Sequence, residues 1–241
     1  MIGKAMRGEF KKLKHTNIIT ILVAAPMLTS LFAWFYNLPS PPNTEWESLY
    51  IKQALLHGQY LLPLLACLIA AYICKLDHDE SSWKAWLVQP LKRYHVYIAK
   101  AMVALLLVAL IQLLMFACYL IMGYIKGYGG LLPGEILLRG YIGGYLSAIP
   151  LIMLQLWVSS AWKSFAGAMG VNVVLTLPAI LIAQSQTYGP WYPWSQPILA
   201  MFFTAENDSS FIPYEQLVYI IGGTSIVFFF IGLLRFTKRA Y

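Results

Sequence analysis

Tyr97–Ile125 reads YIAKAMVALLLVALIQLLMFACYLIMGYI, and Lys100 is its one charged residue. A helix of about 20 apolar residues rises roughly 30 Å, the thickness of a bilayer's hydrocarbon core. A charge at the centre of such a helix costs roughly 2.5–3.5 kcal/mol on the insertion scale, so a run this long with one charge near its start is a membrane span. Outward from it, similar runs lie near Asn17–Tyr36, Leu49–Cys74, Tyr141–Ala161, Phe165–Gln184 and Tyr214–Phe236. Their few charges, Lys52, Glu215 and Arg235, sit near span ends, as Lys100 does, and are expected to snorkel to the surface. Charged residues make up 11% of the chain and hydrophobic ones 59%, where a water-soluble domain carries about 25% charged. Backbone groups in hydrocarbon must bond to one another, and the period-two alternation of a barrel strand is missing. The fold expected is an all-α membrane protein with six transmembrane helices.

Basic residues set the orientation. All of the 17 Lys and Arg except Lys52, Lys126 and Arg139 fall before the first run, in or just beside the second and fourth connections, or in and beside the tail. The positive-inside rule then puts both termini in the cytoplasm. The net charge of +7 is a topology signal and an attraction to anionic lipid rather than a mark of nucleic-acid binding. The first run is too long for the apolar core of a cleaved signal and no Ala-x-Ala site follows it, so it is expected to stay. Cys67, Cys74 and Cys118 read as small packing residues, since neither disulfide nor metal spacing is present.

Three segments outside the spans carry information. In residues 1–15, Ile2, Met6, Phe10 and Leu13 share one helical face and Lys4, Arg7, Lys11 and Lys14 the other. Such a helix is expected to lie in the headgroup plane, with Lys4, Arg7, Phe10, Lys11 and Leu13 as its surface anchor. In residues 75–96, Asp77, Asp79 and Glu80 suit a helix N-terminus, Trp83, Trp86 and Leu87 recur at i, i+3, i+4, and Pro90 stops the helix. Two indoles on one short face need burial, against the membrane interface or against a cytoplasmic protein. In residues 185–213, Trp191, Trp194, Phe202 and Phe203 belong to an aromatic, proline-broken connection without a basic residue. It is expected to be re-entrant or interfacial, seating the protein or facing cargo, with Glu206, Asp208 and Glu215 near it to attract a cationic peptide.

The run Glu9-Phe10-Lys11-Lys12-Leu13-Lys14, the early Pro26, and the acidic-to-Trp-Lys helix ending at Pro90 before Arg93 and Lys100 resemble the permease subunits of ABC-2 type transporters. They are similar in particular to the exporters that protect bacteria against lantibiotics. The resemblance implies a single ABC-2 type transmembrane domain over residues 1–241, in the bacterial plasma membrane. It implies a coupling helix between spans two and three, docked in a groove of an ABC ATPase subunit through Asp79, Glu80, Trp83, Lys84 and Trp86. ATP and magnesium would be held by that partner, with no cofactor on this chain. A second permease, expected to be a different homologous chain, membrane lipid and a peptide cargo complete the set. The residues agree on one point: no Gly-x-x-x-x-Gly-Lys-Ser/Thr phosphate loop occurs, so the chain is not expected to be an enzyme. Other readings stay open, namely an exporter of another amphipathic drug or lipid-like cargo, an intramembrane enzyme, or a membrane scaffold. Ser147, Ser159 and Ser160 show no base beside them in sequence, and His57 reads as an interfacial histidine near the end of its span.

Overall fold

Apolar runs of this length leave the backbone no partner but itself, and the structure, a computed structural model, is helical throughout its regular elements. It describes residues 2–14, 16–38, 44–79, 92–162, 164–202 and 213–238, without the side chains of 77–79. Helix α1 spans Ile2–Leu13 and α2 Ile18–Phe35. Helix α3 (Glu45–Leu56) runs through a π turn at His57–Leu61 into α4 (Leu62–Asp79). Helices α5 (Arg93–Ile125) and α6 (Gly134–Ala161) follow. Two short helices, α7 (Phe165–Thr176) and α8 (Ala179–Ala183), precede α9 (Gln196–Met201) and α10 (Tyr214–Lys238).

Among the described residues, five helices are long and apolar enough to cross a membrane: Ile18–Phe35, Glu45–Leu76, Arg93–Ile125, Gly134–Ala161 and Tyr214–Lys238. The segment expected to be another span, Phe165–Gln184, differs. Pro178 has no N–H for the preceding turn, so α7 stops and the chain restarts at α8, where Leu181 and Ile182 donate to the Pro178 carbonyl. At 12 residues α7 rises about 18 Å, well short of the hydrocarbon core. Pro63 acts differently. Its ring would press on the Gln59 carbonyl one turn back, and the helix widens there, with the Leu62 N–H bonding the His57 carbonyl five residues earlier. The second span also begins earlier than hydropathy suggests. The Thr44 side chain caps Glu47 N, and Glu45 and Glu47 fall in the positively polarised first turn.

Helices α3–α4 and α6 form the centre, with α5 and α7 against them, α1 and α2 along α5, and α10 along α6. Glycines set two of the close approaches. The Trp46 ring lies where a side chain on Gly123 would be, and the Tyr50 hydroxyl occupies the same place at Gly140. Tyr50 thereby reaches the Met201 carbonyl at 2.6 Å, and Tyr119 donates to the Trp46 carbonyl at 2.9 Å. Gln53 donates to Ser30 at 3.0 Å, tying α3 to α2. At the turn into α6, Gly127 and Gly130 take φ values of 72° and 84°, the left-handed region that suits glycine.

Candidate functional site at the basic end

Helix α1 does not turn its largest apolar side chain inward. The line facing the bundle is Ala5, Glu9 and Leu13, at i, i+4, i+8, and Phe10 remains 41% exposed. Lys4, Arg7 and Lys11 are also exposed, so of the five expected anchor residues only Leu13 is buried against the protein. Glu9 is buried because Lys100 of α5 meets it. The Lys100 ammonium lies 3.1 Å from one Glu9 carboxylate oxygen, and both side chains are 1% exposed. Lys100 also donates to the Ile73 carbonyl of α4 at 3.2 Å, and Lys12 holds the other Glu9 oxygen at 3.1 Å. Lys100 therefore does not snorkel, as its place near a span end suggests. Its stem runs inward to a carboxylate from the other end of the sequence. Taking an ion out of water costs several kcal/mol even after relaxation, and close, multiply bonded contacts are what offset it.

This knot lies beside the roots of the second connection. Lys100 is two turns, about 10 Å, from the start of α5, and Ile73 lies a similar rise from the end of α4. Arg93, at that start, donates to the Thr237 carbonyl at 3.4 Å, so the end of α10 is drawn to the same place. The Lys75 ammonium lies 5.4 Å from the centre of the Phe165 ring at the start of α7. Of the expected docking residues, Asp79 is the last residue of α4, with its side chain outside the description. Glu80, Trp83, Lys84 and Trp86 lie outside the described residues.

Between the two ends, His57 is fully buried in the π turn rather than interfacial, beside the carboxamide of Gln112. Ser147 and Ser160 donate to carbonyls of their own helix at 2.9 and 2.8 Å, and Ser159 accepts from Gln155 at 3.3 Å. These hydroxyls are engaged locally, as packing residues are. Among the described residues no three of His, Cys, Asp and Glu come together as metal ligands, and the three cysteines are free.

At the opposite end, Trp194 is only 7% exposed and its indole N–H donates to the Asn172 side-chain amide oxygen at 2.6 Å. Asn172 in turn donates to the Pro63 carbonyl at 3.3 Å, so the aromatic connection is bonded to α7 and to the start of α4. Gln196 donates to the Pro190 carbonyl at 2.8 Å and closes the loop on itself. Trp191 stands out at 64% exposed, Phe202 is half-buried, and Phe203, Glu206 and Asp208 lie outside the described residues. Between α5 and α6 lies an open apolar groove of about 510 Å³, walled by Leu113, Phe116, Leu138, Tyr141 and Ile142.

Residues 5–179 match the family described as ABC-2 family transporter protein. The chain belongs to that family. A comparison with the curated proteins found no significant match. The chain is thus a multi-pass membrane permease of an ABC exporter, and membership implies association with ATPase subunits. The matched region takes in Glu9, Ile73 and Lys100, and ends at the first residue of α8, before the aromatic connection and α10.

For this permease, hydropathy alone does not find the Glu9–Lys100 contact. The signal in the sequence is a pair of singletons. Glu9 is the lone acid among the five bases of residues 1–14, and Lys100 the lone charge of Tyr97–Ile125. Each is costly where it stands without the other.

Proposed function

We propose that this ABC-2 permease is half of a dimeric export pathway in a bacterial plasma membrane, with both termini cytoplasmic, and that it expels an amphipathic, lantibiotic-like peptide for self-protection. The family match over residues 5–179 carries this reading. The basic residues of α1 and just after it, in the second connection and at the C-terminal end of α10 support the orientation. Six crossings follow if α7 and α8 together make one broken span, which returns the chain to the cytoplasm after α10. The second half of the pathway is a different homologous permease, as in the lantibiotic-protection exporters that the sequence resembles.

ATP and magnesium belong to the ATPase partner. Glu80, Trp83, Lys84 and Trp86, with Asp79, make the docking contact, and nucleotide-driven closure of the ATPase subunits pulls on it. Trp191 and Phe202 give the opposite end an aromatic face for cargo, while Trp194 holds that segment in place from inside. Asn172 is its anchor. The apolar groove between α5 and α6 suits the apolar part of such a molecule.

Trp83→Ala with Trp86→Ala is expected to abolish co-purification with the ATPase subunit while membrane insertion is unchanged. Retained co-purification rejects the docking contact. Deletion of the permease is expected to sensitise cells to an external lantibiotic, and equal killing of mutant and parent by a panel of such peptides rejects the cargo class.

A further inference from the structure

We propose that Glu9 and Lys100 are a positioning pair. They lock the N-terminal helix to both roots of the 80–91 connection, so that a pull on that connection moves α1, the end of α4 and the start of α5 as one body. The inference rests on the reading of 80–91 as the ATPase attachment.

Three observations carry it. The first is the rotation of α1. A helix that only anchored the chain to a membrane surface would have no reason to bury its one carboxylate, yet Glu9 faces the bundle and is 1% exposed. The second is what the pair joins. Lys100 reaches Glu9 on α1 at 3.1 Å and the Ile73 carbonyl on α4 at 3.2 Å from a position on α5, so a single ammonium spans three elements. Two of these, α4 and α5, are the helices that lead into and out of the connection. The third is the chemistry chosen. Apolar side chains of similar size hold packed helices together as well as a buried ion pair does, often better. What a pair of opposite charges adds is a fixed register, because a slip of one turn parts the Glu9 carboxylate from the Lys100 ammonium.

The test uses the purified complex of the permease with its ATPase partner in lipid nanodiscs, reading ATP turnover, the KM for ATP, assembly yield and thermal midpoint. Two variants are compared: E9Q and the apolar double variant E9L/K100M. The double apolar variant is expected to assemble and melt like the parent while maximal turnover falls about tenfold at unchanged KM. E9Q, which removes the carboxylate charge from beside a buried ammonium, is expected to lower the thermal midpoint as well as turnover. Parental turnover in E9L/K100M overturns the proposal.

A measurement that leaves the pair intact guards against loss of folding. Spin labels at Lys11→Cys and Tyr94→Cys, with Cys67→Ser, Cys74→Ser and Cys118→Ser, report the separation of α1 from the root of α5. That separation is expected to stay constant when the complex is trapped with ATP and vanadate. A shifted or split distance distribution overturns the proposal. If Trp83→Ala with Trp86→Ala still co-purifies with the ATPase subunit, the attachment reading fails by itself, separately from either readout.

Discussion

Single side chains decide how closely these helices approach, and a glycine is informative only for what fills the space above it. Trp46 and Tyr50 occupy the places a methyl group would take on Gly123 and Gly140, whereas Gly170 faces open space. Gly123→Ala and Gly140→Ala are therefore expected to overpack and cost about 1–3 kcal/mol, read as a lower thermal midpoint in detergent. Gly170→Ala, inside α7, is expected to be neutral or to stabilise by up to about 1 kcal/mol through helix propensity. Asn172 is a second such point, since it serves the Trp194 indole and the Pro63 carbonyl together. Asn172→Ala leaves a buried indole N–H without its acceptor and is expected to cost about 1–3 kcal/mol, with greater protease sensitivity at residues 185–202. Unchanged sensitivity would show that the segment is held by its own turns instead.

At the scale of the element, hydropathy read well wherever one helix meets the full thickness of a membrane, because a window of about 20 residues averages over any single side chain. The same averaging passes over Pro178, where the proline itself signals a kink but not that the helix stops. It hid the start of α3 too, because Thr44 and Glu47 are polar and act through capping. The N-terminal helix shows the reverse limit. Its amphipathic pattern was legible, but its rotation was not, since a partner from α5 turns Glu9 inward against the pattern. If α7 and α8 make one broken span, Ser164→Cys and Tyr188→Cys lie on opposite sides of the membrane. An impermeant thiol reagent applied to intact cells is then expected to label Tyr188→Cys alone. Labelling of both, or of Ser164→Cys alone, contradicts that path.

For the whole molecule, the class was legible from composition and charge distribution, because a bilayer imposes the same two constraints on every chain that crosses it. The base of the molecule was legible only in part. The tryptophan pattern of residues 83–87 supports the proposed attachment, and no periodic pattern marked the pair that ties α1 to its roots. Long-range pairing of two lone charges leaves no periodicity for a sequence reading to find.

On the function proposed above, this chain is a transport body powered by another chain. The direct measurement is ATP hydrolysis by the purified permease in proteoliposomes, alone and after addition of its ATPase subunit. Alone, the permease is expected to hydrolyse nothing above the lipid background, and to support turnover once the subunit is added. Hydrolysis by the permease alone, at a rate the added subunit does not change, would contradict the account.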